Sequence, residues 1–168
     1  VLLLDPDAQG LPDARVASRL ASFNPHLVGV SCSTAGFPKA RVLAGLAKRA
    51  APGCVTAAGG VHVSALPEAA LREAREFDLA VIGEGEETVL DLASALEGGM
   101  PTSGSLSSIP GIAFRAGEGI IKSGRREWIR DLDRLPFPAR DLVDFDLYVP
   151  HAHNRRGWRA TTAVTSRG

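Results

Sequence analysis

The sequence predicts an α/β fold: a doubly wound, flavodoxin-like parallel sheet (Rossmann-like) with a C-terminal β-hairpin and linker. Three observations carry this. Apolar runs at 1–4, 27–30, 54–58 and 79–82 have strand length and are too continuous for strands with one wet face. Segments with apolar residues at helical spacing lie between them, punctuated by proline and glycine. The last two runs open straight into glycine-bearing turns, Gly59-Gly60-Val61-His62 and Gly83-Glu84-Gly85-Glu86-Glu87-Thr88. In a parallel sheet such strand ends collect along one edge, where backbone lacking Cβ atoms lets a ligand come close. Glycine-rich ends in series predict a shelf for a large, flat or long ligand, not a catalytic triad.

The elements follow in order. The run at 1–4 reads as a strand ending in Asp5-Pro6-Asp7. A helix is expected over 12–23, with Pro12 in its first turn, Val16, Ala17, Leu20 and Ala21 on one face, and Asn24-Pro25 as its stop. The strand at 27–30 leads into Ser31-Cys32-Ser33-Thr34, and Pro38 starts a helix with Val42, Leu43, Leu46 and Ala47 at core spacing. After the strand at 54–58, Pro67 opens a short helix to about Ala74. The strand at 79–82 precedes a helix over 86–96 with Val89, Leu92, Ala93 and Leu96 inward. Glu84, Glu86 and Glu87 crowd its N-terminus, where the helix dipole favours negative charge. The pattern changes after Gly98: 112–115 and 119–123 flank Gly117 as a hairpin, 131–140 is a proline-stiffened crossing segment, and 158–166 reads as a further strand. Residues 1–98 are therefore the α/β domain, 99–143 the hairpin and linker, and 144–168 the start of another domain.

Composition narrows the function classes. A chain of 168 residues with zero net charge carries no electrostatic footprint for nucleic acid or an anionic membrane. No apolar run approaches the ~18 residues of a membrane span. The two cysteines, Cys32 and Cys54, make no disulfide framework; they read as small buried hydrophobes in a protein of the reducing cytoplasm. The chain opens on Val1 inside an apolar run and is expected to be a fragment.

The candidate binding residues lie at the strand ends. Ser31, Ser33 and Thr34 either cap the following turn or hydrogen-bond a ligand's amides and phosphate. Gly59 and Gly60 either serve a tight turn or touch the ligand, with Val61 and His62 beside them. Gly83, Glu84, Gly85 and Thr88 imitate a dinucleotide fingerprint, but end in threonine and fall late in the sheet. His62 and the pair His151 and His153 have no third ligand nearby in sequence, so no metal site and no catalytic residue is expected.

These residues bear a family resemblance. The stretch from Ser31 to Leu96, with its Gly-Gly-x-His at 59–62, Ala-Leu-Pro-Glu at 65–68 and Gly-Glu-Gly-Glu-x-Thr at 83–88, resembles the cobalamin-binding domain of radical SAM proteins. Leu135-Pro136-Phe137-Pro138-Ala139-Arg140-Asp141 resembles the link from that domain to the radical SAM barrel. The ending at 161–168 looks like the barrel's first strand. The resemblance implies cobalamin as this domain's cofactor, with a 4Fe-4S cluster, S-adenosylmethionine and the barrel of the same chain as its partners. It implies methyl transfer, or oxidative cyclisation as in the anaerobic magnesium-protoporphyrin ester cyclase. It also implies that a first strand and helix precede Val1, that Cys-x-x-x-Cys-x-x-Cys follows Gly168, and that the fragment alone catalyses nothing. None of the four histidines stands in the Asp-x-His-x-x-Gly pattern that places an imidazole on cobalt.

Two other readings compete. A flavodoxin-like flavin or electron-transfer module would use Ser31-Cys32-Ser33-Thr34 as a phosphate loop, although neither tryptophan, Trp128 or Trp158, is expected near the shelf. A receiver-type signalling domain would use Asp5 and Asp7, but has Ser31 where a phosphorylatable aspartate is needed.

Overall fold

Apolar runs separated by helical crossovers can only line up in parallel. Accordingly β1 (Leu27–Ser31), β2 (Val55–Gly59) and β3 (Leu79–Val81) pair side by side in parallel in the computed structural model, which describes residues 1–148. The hairpin forms as expected, with β4 (Ile112–Ala116) and β5 (Gly119–Lys122) joined through Gly117 at φ 56°. It also joins the sheet: β4 pairs antiparallel with β3, giving the five-stranded order β1-β2-β3-β4-β5. The sheet is thus mixed rather than wholly parallel, and it runs across the change of pattern after Gly98.

The run at 1–4 corrects an expectation. It forms no strand, because extended backbone becomes a strand only by pairing, and β1, the sheet's outer strand at that end, does not pair with it. The run continues into a turn in which Asp5 Oδ1 accepts from Ala8 N at 3.1 Å and Pro6 O accepts from Leu11 N at 2.8 Å. The strand expected at 158–166 and the histidines at 151 and 153 lie outside the described residues.

Alternation along the strands separates the two faces. On one face Val30, Cys32, Ala58, Ala80 and Ala113 meet α2 (Phe37–Ala50), α3 (Val61–Ala65) and α4 (Pro67–Glu73). Val28 continues that face beneath α2 and α1 (Asp13–Phe23), where Val16, Leu20, Leu46 and Ala47 are buried. On the other face Val55, Ala57, Leu79, Val81, Ile112 and Phe114 meet α5 (Glu86–Glu97) and α6 (Ser103–Ser107). The helical turn α3 and the short α6 have no counterpart among the elements expected from the sequence.

Two helices are rotated from their expected faces. α2 buries Ala40, Ala44 and Ala47 and leaves Val42 exposed, since a line of alanines lets it lie close to the sheet. α5 buries Thr88 and Leu92 and leaves Val89 and Ala93 exposed. Its apolar side packs with residues of β3 and β4, and Gly29 on β1 stays open on the same face, with no atom within 4 Å of where a Cβ would stand.

Side chains from the hairpin and strands tie off the helix ends. Arg115 of β4 donates through Nε to Phe77 O at 3.1 Å and through its guanidinium to Ala74 O at 3.0 Å and to Leu71 O. Those carbonyls close α4, where a helix leaves acceptors unpaired. Thr56, fully buried, is held by Asp78, whose carboxylate accepts from Thr56 N at 2.8 Å and from Lys48. Arg115→Met, which keeps the stem and removes the donors, is expected to lower unfolding free energy by about 2 kcal/mol in urea titration.

Candidate functional site

Parallel pairing puts the C-terminal ends of β1, β2 and β3 on one edge, and the predicted residues meet there. The chain leaves β1 at Ser31 and β2 at Gly59, which are register partners. Cys32 N donates to Gly59 O at 3.0 Å, so the two exits stay joined one residue past the ladder. Gly60 then turns away at φ 95°. A Cβ there would stand 2.5 Å from Cys32 O and 2.9 Å from Cys32 N. Only glycine allows this approach.

Beyond Gly60, Val61 and His62 lie on α3 rather than in a loop. His62 Nδ1 lies 3.2 Å from Thr34 Oγ1, and its ring centroid is 4.4 Å from that of Phe37, tying the β1 exit to the β2 exit. Ser33 Oγ accepts from Gly36 N at 3.2 Å, so this hydroxyl serves the turn before α2. Ser64 of α3 accepts from Gly83 N at 3.0 Å, linking the β2 exit to the β3 exit. Gly83 has φ 77°. Gly85 caps α5, and Glu84 accepts from Ile129 N at 2.8 Å. Thr88 is placed apart from the open edge. It is fully buried on α5 against Gly111, and its hydroxyl has no hydrogen-bond partner among the described residues.

From this edge a strip without large side chains runs down the sheet face that α5 covers only in part. The register pairs Ser31 with Gly59 and Gly29 with Ala57, and the strip stops at the larger pair Leu27 and Val55. A Cβ added at Gly29 or Gly59 would have no atom within 4 Å, so the strip borders open space. Gly29 and Ala57 were not singled out by the strand-end pattern; a glycine inside an apolar strand is itself a sign of close approach.

The stretch leading from the hairpin into the crossing segment supplies what the sequence pattern did not show. Arg126 donates to Pro110 O at 3.3 Å, to Glu87 at 3.2 Å and to Asp91, which fixes the segment across the start of α5. This brings Trp128 against Gly83: a methyl group on Gly83 would lie 4.0 Å from Trp128 Cζ3. The expectation that neither tryptophan stands near the shelf is therefore corrected for Trp128. Sequence separation hid the contact, since Glu84 and Ile129 are 45 residues apart. Further along, Tyr148 donates to Asp5 at 2.8 Å and thereby has its own phenol pKa raised.

Burial raises the pKa values of the Cys32 and Cys54 thiols, so both are held as unreactive core residues. No group of three or more His, Cys, Asp or Glu side chains is placed to hold a metal among the described residues. Among them, too, no helix is long and apolar enough to cross a membrane.

The geometry separates the two glycines of the Gly59-Gly60 pair. Gly60→Ala is expected to cost about 3 kcal/mol, because both φ and the Cys32 backbone oppose a side chain. Gly59→Ala is expected to stay within about 1 kcal/mol of the parent, since open space receives its methyl. Thermal unfolding of the two variants checks the difference.

Comparison with known proteins agrees with this arrangement. The family model described as the B12 binding domain matches residues 1–93. An uncharacterized methyltransferase of Pyrococcus horikoshii is 30% identical over 148 residues, covering 88% of this chain and 31% of that protein. The anaerobic magnesium-protoporphyrin IX monomethyl ester cyclase of Rubrivivax gelatinosus is 29% identical over 157 residues, covering 93% of this chain and 28% of that protein. The chain thus spans about a third or less of the length of these relatives. The structure of the radical S-adenosylmethionine methyltransferase TsrM from Kitasatospora setae, with cobalamin and a [4Fe-4S] cluster bound, shares the fold, at a TM-score of 0.58 and 19% identity over 74% of this chain and 23% of that one. The flavin-carrier and receiver readings gain no support from any of these. With its strand exits joined at Gly60 and its family match extending over more than half of the sequence, the chain belongs to the B12-binding domain family.

Proposed function

We propose that this chain holds cobalamin along the C-terminal edge of its sheet and serves a radical SAM enzyme of the methyltransferase or cyclase kind. The observation that carries the reading is the open space beside Gly29 and Gly59, where an added Cβ would meet no atom within 4 Å, along the strip they form with Ser31 and Ala57. Cobalamin joins a broad macrocycle to a long nucleotide tail. A glycine-lined edge continuing into a side-chain-poor strip fits that shape, whereas a compact ligand would leave most of it bare.

In this reading Gly59, Gly60 and Gly83 give backbone contact on the edge, and Ser31, Ser33 and Thr34 offer hydroxyls to amide and phosphate groups. Thr34 is oriented by His62, which leaves His62 Nδ1 engaged. Gly29 leaves room for the tail. Thr88 supports α5 from within. Bound here, cobalamin would supply a reactive cobalt centre for methyl transfer or oxidation. The chain's own part is to position it and to keep competing ligands from it. The names of the relatives support the enzyme class, and the Leu-Pro-Phe-Pro-Ala-Arg-Asp segment at 135–141 supports a barrel as the same-chain partner.

Hydroxocobalamin added to the full-length protein is expected to co-elute on gel filtration with a shifted visible spectrum. Gly59→Leu, which fills the strip, is expected to weaken binding at least about tenfold with little change in unfolding temperature. Failure of the parent protein to retain any cobalamin would remove this reading. Paramagnetic resonance of the Co(II) form is expected to lack nitrogen splitting from a protein imidazole. His62 is held by Thr34 and Phe37, and His26 lies at the start of β1, at the opposite end of the sheet.

A further inference from the structure

Trp128 lies far from every strand end in sequence, yet it stands at the exit of β3. Its indole stands beside Gly83, with Cζ3 4.0 Å from where a Cβ on that glycine would stand. The residue is 58% exposed, so burial in the core does not explain its position. Anchors on both sides fix it. Two residues earlier, Arg126 binds Pro110 O, Glu87 and Asp91; one residue later, Ile129 N donates to Glu84. Arg125 lies with its guanidinium carbon 5.5 Å from the indole centroid, a cation–π contact that adds a positive charge beside the ring. A large aromatic surface, held rigidly and left bare at the edge of a binding shelf, loses little conformational freedom on contact with a ligand.

We infer that Trp128 is a cofactor-contacting wall of the shelf: the stretch before the crossing segment, pinned by Arg126, closes the β3 end of the site with an indole face against bound cobalamin. The inference rests on the reading of the shelf as a cobalamin site. It adds a binding residue from outside the α/β segment, and it makes the linker part of the site rather than a tether. Arg125 lies over one face of the ring.

The test uses the full-length protein and hydroxocobalamin, followed by absorbance titration. Trp128→Ala is expected to weaken binding about tenfold, and Trp128→Phe to keep it within about threefold, because a smaller ring restores most of the apolar face. The unfolding temperature of the ligand-free Trp128→Ala protein is expected to match the parent, as the anchors lie in neighbouring residues. A second measurement needs no variant: bound cobalamin is expected to protect Trp128 from N-bromosuccinimide oxidation, read by peptide mass mapping. Parent-like affinity in Trp128→Ala, or unprotected oxidation of Trp128 in the loaded protein, would overturn the inference while leaving the shelf intact. Loss of cobalamin binding by the parent itself would overturn both.

Discussion

The site depends on how closely two backbones approach at Gly60. The exits of β1 and β2 are held together by Cys32 N donating to Gly59 O, and Gly60 must turn within van der Waals contact of Cys32. Any side chain there would force the exits apart. From there the Thr34–His62 link fastens the second exit to the first and the Ser64–Gly83 link fastens the third to the second. The shelf is thus one connected surface rather than three loops, and its rigidity comes from hydrogen bonds between neighbouring exits. Preorganisation of this kind lowers the entropy lost when a large ligand is bound.

The two sheet faces are put to different uses. Alanines at 40, 44, 58, 70, 74, 80 and 113 make one face thin and close-packed, so α2, α3 and α4 lie near the sheet and hold the exits in place. The opposite face is filled by large side chains only under α5 and α6, around Leu92, Ile112 and Phe114. Toward β1 it gives way to Gly29 and Ser31. In the proposed reading, the packed half supports the site and the emptier half receives the ligand.

The hairpin and the crossing segment are structural extensions of the same site. β4 pairs with β3 and buries Ile112 and Phe114 on the α5 face, while Arg115 closes α4 from the other side. The chain then returns across the start of α5 through Arg126 and reaches Asp5 through Tyr148. Lys39, at the start of α2, lies within 3.8 Å of Asp7, so the 5–13 turn sits on the shelf side as well. Within the described residues, the stretch after the hairpin therefore runs along the C-terminal edge of the parallel strands.

The order β1-β2-β3, the helices between them and the glycine turns were legible in the sequence, because parallel strands, crossover lengths and φ-demanding glycines are all local requirements. Ser31, Thr34, Gly59, Gly60, His62 and Gly83 were legible as site candidates for the same reason. Thr88 was not legible as a buried residue, since a hydroxyl at a helix start looks the same whether it faces a ligand or Gly111. The run at 1–4 looked like a strand because it has strand composition, but a strand exists only when another backbone pairs with it. Val42, Val89 and Ala93 were assigned inward from periodicity, which gives the width of an apolar face but not how far the helix is turned on its sheet. The place of Trp128 was decided by Arg126 and Glu84, through partners dozens of residues away. Local chemistry therefore determined the elements and their exits, and tertiary structure alone decided which distant side chains stand beside them, because contacts of that range leave no spacing in the sequence to be read.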